Sequence, residues 1–151
     1  MKVVFLDFDG VLNSRGYLSA CGEVGVVINP ANMEILKEII EKTNARIVLT
    51  TSWREHWSRQ AAERDNVGEE IHAVFHKYNL EIYDKTPTLP GRREGEIQHW
   101  LETHPETEQF VILDDQLLSG EFLKGHFIKT SDYFGGLNQE DGRKAVEILM
   151  E

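Results

Sequence analysis

At 151 residues, with 40% hydrophobic and 28% charged side chains, the chain is sized for one compact domain (residues 1–151) with a sizeable core, which excludes a multidomain machine. Sixteen basic against twenty-six acidic residues give a net charge of −10, which argues against polyanion binding by bulk attraction, so no stable nucleic-acid complex is expected. The one cysteine, Cys21, excludes an intrachain disulfide and the paired-cysteine spacing of a structural zinc site, and a cytoplasmic protein is expected.

Residues 3–6 (Val3, Val4, Phe5, Leu6) form an unbroken apolar run, the pattern of a parallel strand buried on both faces. The run is too short to span a bilayer and ends in carboxylates, so neither a signal peptide nor a membrane anchor is predicted. Residues 10–25 hold no period of 2 or 3.6 and read as a loop or small flap. Asn29-Pro30 opens a helix with Met33, Leu36, Ile39 and Ile40 on its buried stripe, ending near Asn44. Residues 46–49 are a second buried strand, running into Thr50-Thr51-Ser52.

A mainly helical stretch is predicted over residues 55–78, interrupted around Asn66-Val67-Gly68, followed by a weak strand at residues 80–83 and a proline-bearing loop at 85–91. From Arg93, the positions Ile97, Trp100 and Leu101 have helical spacing, with Pro105 past the end. Residues 110–113 form another strong strand, ending in Asp114-Asp115. Phe127-Ile128 is a weaker apolar segment before a Gly135-Gly136 loop, and a last helix from near Asn138 buries Ala145, Ile148 and Leu149. Apolar strands alternating with helices predict an α/β domain with a parallel sheet covered on both sides. Ligands bind at the carboxyl ends of the strands in such sheets, so the polar clusters after the strands should meet there.

The first of these clusters is Asp7-Phe8-Asp9-Gly10-Val11-Leu12-Asn13. Residues i and i+2 of an extended segment point the same way, and Gly10 lets the chain turn after them. With Asp114-Asp115 on a neighbouring strand, three or four carboxylates would converge, an arrangement that needs a divalent cation. All-oxygen ligands favour Mg²⁺ over zinc. The hydroxyls of Thr50, Thr51 and Ser52 and the cations of Arg92 and Arg93 are groups that could neutralise phosphoryl oxygens. Taken one at a time, each has an ordinary reading as a solvated strand end, a strand threonine or a surface arginine.

The order of these motifs resembles the haloacid dehalogenase-like (HAD) phosphohydrolase superfamily: Asp7-x-Asp9-Gly10-Val11-Leu12, then Thr51-Ser52, a basic residue heading a helix, and Leu113-Asp114-Asp115. Thr51-Ser52-Trp53-Arg54, with Arg93-x-x-Glu96-Ile97-x-x-Trp100-Leu101 and Gly136-Leu137, is similar to the small HAD domains found alone or attached to RNA-repair enzymes. The resemblance implies a Rossmann-like three-layer α/β/α fold with the first strand central and no large cap. It implies a Mg²⁺-dependent phosphomonoesterase acting through an aspartyl-phosphate, with Asp7 as nucleophile and Asp9 as general acid and base.

By the same resemblance the metal is held by Asp7, Asp9 through its backbone carbonyl, Asp114 and Asp115, directly or through water. Thr51 binds phosphate, with Thr50 or Ser52 as alternates. Arg93 stands where the superfamily often has lysine, with Arg92 or Lys85 as alternates. Two short, irregular connections, residues 13–29 and 54–84, leave an open site suited to a phosphorylated small molecule or a nucleic-acid end. Residues 46–93 hold eight basic and seven acidic side chains, so cations are available there despite the overall charge. Trp53, Arg54, Trp57 and Arg59 could form a rim for a base and its phosphate, or pack a helix onto the sheet with the arginines in solvent. The six histidines show no metal-binding spacing and read as surface or helix-packing residues. A non-catalytic phosphate-sensing or partner-binding domain is the competing expectation.

Overall fold

The computed structural model describes residues 1–151. Five parallel strands, β1 (Lys2–Leu6), β2 (Arg46–Leu49), β3 (Ile82–Lys85), β4 (Gln109–Asp114) and β5 (Phe127–Lys129), lie in the order β3-β2-β1-β4-β5. The first strand is therefore central, paired with β2 on one side and β4 on the other. Alternation along the strands divides the core between two layers. Val4, Leu6, Ile47, Leu49, Val111 and Leu113 face one side, against Met33, Leu36 and Ile39 of α2 (Pro30–Thr43), Ile71 and Phe75 of α3 (Asn66–Lys77), and Ala145 and Leu149 of α5 (Gln139–Leu149). Val3, Phe5, Val48 and Ile112 face the other, against Ile97 and Trp100 of α4 (Arg93–Glu102) and Leu118 and Leu123. The result is the three-layer, Rossmann-like α/β/α architecture, without a large cap. No helix is long and apolar enough to cross a membrane.

Several local expectations are corrected. The segment predicted as loop contains α1 (Arg15–Cys21), capped by the Ser14 hydroxyl on the Tyr17 N–H and by left-handed Gly22. None of its residues is buried, so no apolar period marks it in the sequence. Residues 55–78 hold less helix than predicted: two 3₁₀ turns, Ser52–His56 and Ala61–Glu63, precede α3. Asn66-Val67-Gly68 opens that helix instead of interrupting it, because Asp65 caps the Gly68 N–H at 2.9 Å. Gly68 is there for close approach, since a Cβ would lie 1.8 Å from the His56 carbonyl oxygen. The weak strand lies two residues later than predicted, at Ile82–Lys85, and Ile148 is only half-buried while Gly142 faces the core.

The connection between β2 and β3 packs Trp57, Ile71 and Phe75 into the main core, so it builds a layer of the domain and not a cover over the strand ends. At the carboxyl edge of the sheet the chain leaves β1, β2 and β4 in loops.

Candidate active site

Asp7 directly follows β1, and its N–H still donates to the Leu113 carbonyl at 3.1 Å, so the sheet ladder holds it beside the end of β4. Asp114 ends β4 and is fully buried, and Asp115 follows it, half-buried. One carboxylate oxygen from each of Asp7, Asp114 and Asp115 lies within 4.8 Å of the others. The chain turns away after Asp9 at Gly10, whose φ is +82° and whose missing Cβ would sit 2.3 Å from Asp115 Oδ2. Both the turn and the contact require glycine.

A single cation reaches this cluster from the other layer. Arg93 Nη1 donates to Asp114 Oδ2 at 2.7 Å and pairs with Asp7 Oδ2 at 3.2 Å, from the first residue of α4. Burial alone would favour a neutral guanidine, but the two carboxylates outweigh it and hold Arg93 above its usual range. The alternates are placed elsewhere. Arg92 is exposed, and Lys85 Nζ donates to the backbone carbonyls of Arg54 at 3.1 Å and Trp57 at 2.6 Å.

Three carboxylates against one guanidinium leave two negative charges in a largely buried space. Burial, then the charge of Asp114, pushes the Asp7 carboxyl up to about 8, against the pull of Arg93, and Asp115 is raised by burial and Asp114 as well. A divalent cation would match both the charge and the all-oxygen donor set, so the residues fit Mg²⁺. The pH consequence has a definite sign. Between pH 3.8 and about 8 the folded chain holds on Asp7 a proton that the unfolded chain releases, so this contribution to stability is complete below that window and is lost as pH rises through it. The thermal midpoint of the metal-free protein is expected to fall from about pH 5 to pH 8.5, and millimolar Mg²⁺ to recover most of the loss at the upper end. A midpoint that rises across that range, or that ignores Mg²⁺, contradicts the placement.

Of the three hydroxyls after β2, Thr51 is buried and caps the 3₁₀ turn, its Oγ1 accepting from the Trp53 N–H at 3.3 Å. That leaves its own O–H free to donate to a phosphoryl oxygen. Ser52 is exposed, and Thr50 is fully buried with its hydroxyl unpartnered.

Asp9 is exposed and its carboxylate lies outside the acidic triad. Its oxygens are held by two donors: Trp53 Nε1 on Oδ2 and Asn13 Nδ2 on Oδ1, each at 3.0 Å. Asn13, at the end of the first motif, gains a role only in the structure. It is buried, and also donates to the Val27 carbonyl at 2.8 Å while accepting from the Gly10 N–H at 2.9 Å.

Of the two readings of Trp53, Arg54, Trp57 and Arg59, packing holds for the tryptophans, Trp57 within the main core and Trp53 against it, while the rim and the solvent position of Arg54 are corrected. Arg54 is buried, as is Trp57, and Arg59 is spent on the Tyr83 carbonyl and ring. Arg54 donates to the carbonyls of Thr50, Thr51, Thr86 and Pro87 and pairs with Glu96 Oε2 at 2.8 Å, while Glu96 Oε2 also accepts from the Leu89 N–H at 3.1 Å. This buried pair ties the Thr51 turn to α4 one turn beyond Arg93. Sequence reading missed it because an arginine after a strand gives no sign of a partner forty-two residues away.

A family model described as the HAD domain in Swiss Army Knife RNA repair proteins matches residues 3–141. No curated protein and no solved structure gives a significant match. The matched span contains every residue of the acidic cluster and of the Thr51 and Arg93 positions.

Proposed function

Because the chain belongs to the family of HAD domains in Swiss Army Knife RNA repair proteins, we propose that it is a Mg²⁺-dependent phosphomonoesterase acting on a nucleic-acid or nucleotide terminal phosphate. The observation that carries this reading is the meeting of Asp7, Asp114 and Asp115 with Arg93 at the carboxyl edge of the sheet, with Thr51 on the turn that follows the neighbouring strand β2. Asp7, Asp114, Asp115 and the Asp9 carbonyl would hold the metal, which supplies charge neutralisation to the phosphoryl group and to the crowded acids.

In this reading, the Asp7 carboxylate attacks phosphorus in line with the leaving oxygen and forms an aspartyl-phosphate. Asp9 gives a proton to the leaving oxygen as the phosphorus–oxygen bond breaks. In the second half it takes a proton from the water that attacks phosphorus, and Asp7 is released. Thr51 and Arg93 hold equatorial oxygens, the guanidinium fork offering two donors where a lysine offers a point charge.

The substrate side of the proposal rests on what surrounds the site. Apart from Met150 near the chain end, the exposed large apolar residues Val24, Leu117, Tyr133 and Phe134 all lie on loops that follow β1, β4 and β5. Tyr133 and Phe134 pack edge to face, with centroids 4.9 Å apart, at the tip of a turn tied to the first motif through Thr130 Oγ1 on the Gly10 carbonyl at 2.7 Å. The Leu137 N–H on the Val11 carbonyl at 2.8 Å holds the other end. Exposed aromatics on a fixed turn suit base stacking, which is sequence-tolerant. The Tyr133→Ala/Phe134→Ala double variant is expected to raise KM for a phosphorylated oligonucleotide about tenfold, at ~1–3 kcal/mol per stacked base. An unchanged KM would remove the turn from the substrate site. A lone half-buried cysteine suits the cytoplasmic setting of such an enzyme.

The deciding experiment is a panel of phosphomonoesters, including nucleotides and 3′- and 5′-phosphorylated oligonucleotides, assayed with Mg²⁺ and with chelator. Chelator-sensitive phosphate release supports the reading. The Arg93 contact with Asp7 also favours a second one, a domain that binds phosphate without turnover. Binding of a phosphate analogue with no release from any panel member would select it.

A further inference from the structure

We infer that Trp53 is a positioning residue for Asp9, holding the proton-transfer carboxylate at the mouth of the site through its indole N–H; the inference rests on the phosphatase reading above. Asp9 is exposed, so packing holds it less than it would a buried side chain. Its orientation comes from two hydrogen bonds of 3.0 Å, one to each oxygen, from Trp53 and Asn13.

Both donors are themselves fixed. Asn13 is buried, and its three contacts determine which way its amide points: the Val27 carbonyl and Asp9 need the NH₂, and the Gly10 N–H needs the oxygen. Trp53 sits in the turn capped by Thr51, so the same turn that presents a hydroxyl to phosphate also presents the indole to Asp9. The phosphate oxygens and the proton-transfer group are thereby placed by one short segment.

An indole is well suited to this work. It has two side-chain torsions and a single N–H at a fixed place on a rigid ring. Neither the indole nor the Asn13 NH₂ can accept a proton. Neither donor can therefore take up the proton that Asp9 gives to the leaving oxygen and later takes from water. The two bonds orient the carboxylate, and a displacement of about 1 Å at such a group costs on the order of a hundredfold in rate.

The test is Trp53→Phe, which keeps an aromatic ring and deletes the N–H. With Mg²⁺, kcat and KM are measured on nitrophenyl phosphate, whose leaving group departs without a proton, and on glycerol phosphate, whose alkoxide needs one. The expected result is a tenfold to hundredfold loss of kcat/KM, which reports the steps up to leaving-group departure, on glycerol phosphate, and a smaller loss of kcat/KM on nitrophenyl phosphate. In an Asp9→Asn background the same substitution should add almost nothing, because the group it orients is gone. Equal losses of kcat/KM on the two substrates, or full additivity with Asp9→Asn, would overturn the inference and leave a merely structural tryptophan. A raised KM with kcat intact on nitrophenyl phosphate, whose departure needs no proton, would overturn it too, placing the indole against the substrate. A wild-type protein that releases phosphate from no member of the panel of nucleotides, phosphorylated oligonucleotides and small esters overturns the phosphatase reading, and this inference with it.

Discussion

Asp7→Asn is expected to lower Mg²⁺-dependent phosphate release by about four orders of magnitude or more, the scale of losing a covalent nucleophile. The amide is nearly isosteric but lacks the anionic oxygen that attacks phosphorus. It also removes one of the three crowded carboxylates. Since burial and Asp114 oppose ionisation of Asp7, the metal-free variant should melt no lower than the wild type at pH 8.5. Measuring turnover and thermal midpoint on the same samples separates lost chemistry from lost structure. Turnover within tenfold of wild type would remove Asp7 from the nucleophile's role. A collapse of the midpoint at pH 8.5 would show that its carboxylate stabilises the site without metal.

Glu96→Ala should cost about 3–5 kcal/mol of stability, the usual scale for leaving a buried charge without its partner. The Arg54 and Glu96 side chains are 7% and 10% exposed, so solvent screens the pair little and cannot replace the missing carboxylate. At 151 residues that loss is roughly a 10 °C drop in midpoint. Activity should fall further than unfolding alone explains, because the pair joins the Thr51 turn to the helix that carries Arg93. The pairwise nature of the effect can be checked by combination. Arg54→Met with Glu96→Leu removes both charges and should cost clearly less than the sum of its two single variants, since the carbonyls that Arg54 serves lose their donor in the Arg54 single variant as well. If the single variant melts within 2 °C of wild type, the pair is not the clamp described.

The contrast between these two sites shows where sequence is readable. The strands were legible because β1, β2 and β4 are buried on both faces and so are apolar throughout. The acids were legible because parallel strands deliver the residues just past their carboxyl ends to one edge, whatever their separation in the chain. Helix α1 was not legible, because a seven-residue helix with no buried face writes no period. The Asn66–Gly68 stretch misled because Gly68 serves close packing against the His56 carbonyl, a reason independent of helix propensity. Side-chain pairs such as Trp53 with Asp9, or Arg54 with Glu96, depend on tertiary distance, and no local spacing encodes them.

The register of the sheet also governs when the site can come into being. Asp7 is bonded through its N–H to Leu113, and Thr130 reaches back to Gly10, spans of more than a hundred residues. During synthesis Asp7 and Asp9 thus emerge well before Asp114 and Asp115, and cannot meet their partners until β4 and β5 have been made and docked. Pairings this distant form late and slowly. Mg²⁺ retention would then mark completion of folding, and partial products would carry the motif without the chemistry.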